Sequence, residues 1–438
     1  MKRHTLLVSL VAVTLLVAAW TLLITPGVTA EPEKMSSLLQ RHQKLKAALK
    51  EGRLQEEVHY GELSMLMFLF SSRPAQSNGD GTYNRGIIAP NSTLGLGPAV
   101  WETMKNSTEI YRAQGAKPQP WATVNEFPDG VTPLTTAQLQ AQFGQTNSPW
   151  LHFLSTSRMI DGQQIVDAHS NVLWYDVRCN QDYYNYVTAG PYPLYNLEGQ
   201  EAARADANFT FDFPADALEF KGTWRILQPD DDDTKYWTAY GAYYDATNTL
   251  QYAKIGLTAL HIISHVQSNW IWMTFEQVDN PTATFQYFLG DKGATIGVNT
   301  TANPVSIPIN AELQFITQGT KWQNYRVIGW QFDEVRGNGQ PVLLANSNIE
   351  TYFPKTSSCM SCHAMANIGP PDNRRLNMWN TNDSGIQGRI GTIDFEGIVQ
   401  GMGLDPTQYK PTNYVWSLRE AQSTAAPMAQ PKPKPASR

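Results

Sequence analysis

Charge and cysteine are both scarce in this chain. Only 16% of its 438 residues are Asp, Glu, Lys or Arg, and it has three cysteines. Three thiols cannot build the multi-bridge framework of a small disulfide scaffold, so the fold has to rest on a packed core. The 33 basic residues are outnumbered by 39 acidic ones, for a formal charge of −6. Binding to nucleic acid rests on neutralising phosphates with Lys and Arg, and this balance disfavours it. There is no Walker sequence and no Gly-x-Ser-x-Gly elbow, and Gly95-Leu96-Gly97-Pro98 lacks the third glycine of a dinucleotide loop. The four carboxylates at 230–233 have no Gly-containing loop and no Glu at the spacing a calcium loop needs, so they read as a solvated turn.

Aromatic residues are plentiful instead: 13 Trp, 19 Tyr and 16 Phe, punctuated by 31 Gly and 27 Pro. That mixture favours strands and long structured loops over a helical bundle. Residues 1–30 read as an export signal, with a basic start, an apolar run over 5–24, a Pro26-Gly27 break and the small residues Val28-Thr29-Ala30. The run is also long enough to serve, uncleaved, as a membrane anchor. Residues 31–146 form a helical and loop region, with a helix over 34–53, an apolar core stretch at 63–70 and a second helix over 98–114.

Residues 147–346 are expected to form a β-rich domain. Runs at 171–176, 217–227, 236–244, 257–266, 270–278, 283–289, 311–317 and 325–332 are rich in β-branched and aromatic residues, and most are bounded by Gly, Pro, Asn or Asp. Without alternating long helices, they point to an antiparallel sandwich or barrel-like domain. The fold class expected overall is mainly β, with N-terminal helices and a small α-helical module over 347–422. Residues 423–438, rich in Pro and Lys, read as a disordered tail.

The most specific motif is Cys359-Met360-Ser361-Cys362-His363. C-x-x-C-H is the attachment signature of a c-type haem: the two thiols form thioethers to the vinyl groups and the histidine ligates the iron. The remaining cysteine, Cys179, has no second Cys/His pair near it at the spacing a zinc site needs. The expected cofactor is therefore one covalent haem c, on Cys359 and Cys362, with His363 as axial ligand.

On these residues the C-terminal region resembles a cytochrome c haem module, and Gly369-Pro370 sits where that family has a turn supporting the histidine. The resemblance implies a methionine as sixth ligand, Met402 first and Met378 second, with Trp379 or Trp416 walling the pocket. Segment 260–280 with 357–363 is also similar to secreted bacterial cytochrome c family proteins, largely uncharacterised, which carry a Thr-Phe-Glu…Val-Asp-Asn stretch ahead of the haem motif. The function implied is one-electron transfer by an exported monohaem cytochrome, in the periplasm or outside the cell, with redox partner proteins. It touches a membrane only if the N-terminal segment stays uncleaved.

The alternative expectation is a haem-dependent oxidoreductase, peroxidase-like or a small-molecule dehydrogenase, with a substrate site in the β-rich domain. His261 and His265, four residues apart, share one face of a strand or helix, and Glu276 and Asp279 follow as acid/base candidates.

Overall fold

The computed structural model describes residues 35–52, 57–95, 97–156, 165–167, 171–280, 306–350, 356–378, 380–382 and 385–425. The export segment at 1–30, the strand expected at 283–289, Trp379 and most of the tail lie outside them. The chain divides into two compact units, 1–40 and 41–438. Of the first, the described part is the opening of the helix Met35–Lys50. Everything below belongs to the second.

That unit is a mixed α/β fold built on one open sheet. After a small ribbon of β1 (Ala75–Ser77) and β2 (Tyr83–Ile88), the sheet takes up β3 (Lys105–Asn106), β4 (Leu151–Phe153), β5 (Ser155–Thr156), β6 (Leu173–Cys179), β7 (Leu218–Ile226), β8 (Thr238–Tyr244), β9 (Leu250–Ser264), β10 (Ile271–Gln277) and β11 (Tyr325–Gln331). Its main path runs β11-β10-β9-β7-β6-β3, with β8 on β9, β4 on β8 and β5 on β6. All pairings are antiparallel except β4 with β8. The spine is β9, the longest strand, which pairs β7 along one edge and β8 then β10 along the other. Its second half reads Leu-Thr-Ala-Leu-His-Ile-Ile-Ser and is buried on both faces, as a central strand between two covering layers must be.

The expected sandwich or barrel is corrected here. A period-2 pattern identifies strands and is silent on what covers them, and the cover is helices and loops where a second sheet was expected. The apolar stretch at 63–70 lies in the helix Glu57–Ser71, whose Phe68 ring stacks 4.7 Å from Phe275 of β10. The strand expected at 311–317 is the end of the helix Ser306–Thr317, with Ile309, Leu313 and Thr317 buried at a spacing of four. Helices thus recur through the chain and are not confined to its ends. Region 347–422 holds the short helices Cys359–His363 and Phe395–Gly401 among turns and two-residue bridges, in place of a helical module.

Strand register sorts the polar residues onto two faces. Arg178, Asp176 and Trp174 of β6 are level with Phe220, Gly222 and Trp224 of β7. On the other face, Glu219, Lys221 and Thr223 of β7 are level with Ile263, His261 and Ala259 of β9. These in turn are level with Trp272, Thr274 and Glu276 of β10. Three parallel rows result: Glu219–Ile263–Trp272, Lys221–His261–Thr274 and Thr223–Ala259–Glu276.

Candidate functional site

The second face is covered by the chain after β11. Asn346 Nδ2 donates to Thr274 Oγ1 (2.9 Å), and the Ser347 N–H and hydroxyl donate to the two oxygens of Glu276 (2.6 and 2.8 Å). Ser358 then caps the helix Cys359–His363 and receives a hydrogen bond from Gln331 Nε2 of β11 (2.8 Å). The sheet face and the Cys-x-x-Cys-His turn are therefore brought together, although almost a hundred residues separate His261 from Cys359.

Glu276 is a clasp. Both its oxygens are engaged by Ser347 and it is 1% exposed. Burial raises its carboxyl to about 7, against those same hydrogen bonds. Glu276→Ala is expected to lower unfolding free energy by about 1–3 kcal/mol, because two buried donors of Ser347 lose their acceptor. Denaturant unfolding checks this, and an unchanged midpoint would assign the docking of 346–348 to other contacts.

The middle row carries an unmatched imidazole. His261 Nε2 is buried, makes no hydrogen bond among the described residues, and stands 4.0 Å from Glu350 Oε2, beyond hydrogen-bond reach. Burial, then the charge of Lys221 and the neighbouring His363, lowers His261 to about 3, so its imidazole is neutral. Burial raises Glu350 to about 7, opposed by the Asn346 N–H it accepts and by Lys221. Lys221 is itself lowered by burial, against the pull of Glu350 and Glu219, and its Nζ lies 4.4 Å over the Tyr175 ring. His265 shares the face but not the cluster: its Nδ1 donates to the Pro214 carbonyl (3.2 Å) and its ring lies 4.6 Å from Trp270. Asp279 is half exposed and ion-paired to Lys235 (2.6 Å).

The neighbouring row opens into a narrow cleft walled by Trp270, Trp272, Tyr414 and Val415, with Glu219 and His363 as its polar groups. Trp270 and Tyr414 both hold positive φ, 59° and 66°, as does Asn413 at 53°. Bulky residues adopt that conformation only where surrounding contacts impose it, and such sites cluster where function is. One of those contacts is the Trp270 indole N–H donating to Asn413 Oδ1 (3.1 Å). His363 Nδ1 donates to the Tyr414 carbonyl (2.8 Å), which fixes its tautomer, and its ring lies 4.2 Å from Trp272.

These residues do not fit a haem. Among the described residues no three His, Cys, Asp or Glu side chains gather as a group able to hold a metal ion. Trp272 packs on the His363 ring, and the cleft beside it falls short of the several hundred Å³ that cofactor pockets enclose. Cys359 and Cys362 are buried, and burial raises Cys362 to about 11 and Cys359 well above the usual thiol range, so both remain protonated and unreactive. Met402 lies on the surface, 42% exposed, at the end of the helix Phe395–Gly401. Met378 packs on the apolar cluster of Met365, Leu376, Val399, Tyr409 and Trp416.

The expected covalent haem c on Cys359 and Cys362, with iron on His363 and Met402 or Met378 opposite, is accordingly corrected. With it go one-electron transfer as the function and the alternative of a haem-dependent oxidoreductase. Of the functional groups, sequence reasoning missed Glu219, Lys221 and Glu350. Alternating charges on a strand, as in Leu218-Glu-Phe-Lys-Gly-Thr-Trp224, ordinarily mark a solvated face, and only the segment folded over them shows otherwise.

No family model matches the chain, nor does any curated protein or solved structure. Membership of the secreted cytochrome c proteins, and the iron, electron-transfer and signal-peptide assignments that accompanied it, are therefore without support in structure or kinship.

Proposed function

We propose that the protein is an acid–base catalyst that moves a proton on a small polar solute entering by the cleft between Trp270, Trp272 and Tyr414. The observation that carries this reading is the pair in the register row next to the cleft's Glu219, Ile263 and Trp272. A neutral His261 faces the Glu350 carboxyl at 4.0 Å, with no hydrogen bond on Nε2. A polar atom left unpaired in a buried place costs free energy, and a guest bridging the two groups recovers it.

The roles follow from charge. Glu350, titrating at about 7, changes protonation at working pH and is the proton acceptor. His261, neutral, orients the solute through Nε2. Lys221 supplies positive charge where negative charge develops on the solute, in a site dry enough for that charge to act strongly. Perturbed titrating groups gathered beside a cleft are the physical signature of such a site. The cleft is narrow, so only the smallest solutes can enter it.

The test is carbon-bound hydrogen exchange. Small hydroxy and carbonyl compounds are incubated with the full chain in D₂O, and deuterium incorporation is followed by NMR together with the His261 ¹⁵Nε2 resonance. Accelerated exchange in a compound that also shifts that resonance is expected. If no compound of this size does either, the reading fails.

A further inference from the structure

Glu219, which lines the cleft, is tied to a line of hydroxyl groups that runs away from it into the core. Ser417 Oγ donates to Glu219 Oε2 (2.5 Å), Tyr183 and Ser417 are joined at 2.7 Å, and Tyr111 and Tyr183 at 2.8 Å. Ser417, Tyr183 and Tyr111 are all buried. Each hydroxyl has a single hydrogen to give. With the Ser417 hydrogen given to Glu219, Tyr183 has to donate to Ser417 and Tyr111 to Tyr183, so all three hydrogens point toward the carboxylate.

The reverse orientation fails at its far end. Were Glu219 protonated and donating to Ser417, the hydrogens would turn, and that of Tyr111 would need a new acceptor. Tyr111 is 4% exposed, and its hydroxyl makes no hydrogen bond besides the one to Tyr183 among the described residues. The turned chain therefore strands a buried hydroxyl hydrogen, at a cost that the forward chain avoids. Aligned hydroxyls also polarise one another, so the donor reaching an ionised carboxylate is stronger than a lone serine.

We propose that Ser417, Tyr183 and Tyr111 are positioning residues that act as a one-way relay, opposing the effect of burial on Glu219 and so favouring the ionised form that an entering solute meets in the cleft. This regulation rests on the acid–base reading above, and it goes beyond it by naming the residues that tune the site from the core. The other charged and titrating groups around Glu219 are Lys221, which favours its ionised form, Glu420, which opposes it, the buried Cys179 thiol level with it on β6, and His363 in the cleft wall. Burial raises Glu219 to about 7, and the Ser417 hydrogen bond is the largest influence in the opposite direction. With a carboxylate in the cleft wall, the solute end received there is an N–H or O–H donor.

The relay makes a graded prediction, because a polarising chain weakens link by link. The Glu219 titration is read in the full chain without any solute, by the infrared carboxyl band that Glu219→Gln removes. Ser417→Ala is expected to raise the midpoint by about one pH unit, Tyr183→Phe by less, and Tyr111→Phe by least but in the same direction. A merely structural role would not produce this order, since Tyr→Phe retains the ring. In the unmodified protein, the downfield hydroxyl proton of Tyr183 is expected to titrate with Glu219, a measurement that needs no variant. Midpoints unchanged in all three variants, or a Tyr183 proton indifferent to the Glu219 titration, would overturn the relay. Since no solute is present, that failure is separate from failure of the exchange assay.

Discussion

Arg178→Ala is expected to lower the unfolding free energy by about 3–5 kcal/mol. Arg178 is fully buried and holds Glu126 through two bonds of 2.8 Å and Asp176 through a third of 2.8 Å. Asp176 in turn bonds His152 Nδ1 (2.5 Å), whose Nε2 bonds Glu102 (2.9 Å). Removing the guanidinium leaves carboxylates uncompensated in the core, and it is this that destabilises, more than the lost attraction itself. Urea unfolding measures it, and a loss below about 1 kcal/mol would show that the network relaxes around the gap.

The same network sets a pH dependence with two signs. Burial works against the charge of His152, but Asp176 and Glu102 overcome it and raise its pKa above the ordinary 6.5. Its contribution is complete below 6.5 and is lost as pH rises through the folded value. Asp176 is opposed by burial, but Arg178 and His152 win and hold it below the usual 3.8, so its contribution is lost as pH falls through the folded value. The contribution of this network is therefore expected to fade on both sides of a broad acid-to-neutral plateau. His152→Gln should remove the alkaline fade and leave the acid one.

Glu350→Gln is the second large effect, on activity this time. Removing a general base costs about 10²–10⁴ in rate, and the exchange catalysed by the full chain should fall by that factor. Glutamine keeps the shape and an oxygen for the Asn346 N–H, now 2.6 Å from the carboxylate, so folding should survive. The rate limb that rises through about 7 should vanish with it. Stability should move oppositely. A carboxyl raised from 4.5 to about 7 binds its proton more tightly in the folded state, so stability falls as pH rises between those values. The variant should therefore lose less stability than the wild type across that window. A rate within threefold of wild type would remove Glu350 from the mechanism.

Much of the sheet was legible. Strands at 173–179, 218–226, 238–244, 271–277 and 325–331 fall inside or nearly on the expected runs, and the run expected at 257–266 is the second half of the longer strand 250–264, because β-branched and aromatic alternation is a local property. The stretch ending at Thr317 was misjudged because Ile309, Leu313 and Thr317 are spaced for a helix while the composition favours a strand. Part of the candidate site was legible too: His261 and Glu276 lie in adjacent rows of one face, and His363 lies near His261. Cys359 and Cys362, the motif's most conspicuous residues, are buried thiols in a tight helical turn packed on that face. The motif's pattern alone could not show how little space its surroundings leave.

By itself the sequence determined which segments extend, which face of each strand is apolar, and that the chain is too acidic to favour phosphate backbones, since all of these depend on neighbours in the chain or on counts. Only the tertiary structure decided that Glu219, Lys221 and Glu350 share a dry place with two histidines, that Ser417 and Tyr111 lie on one hydrogen-bonded line, and that Trp272 covers the ring of His363. Those outcomes turn on strand register and on which loop folds back over the sheet. Such contacts join residues far apart in the chain, where no local pattern carries the information.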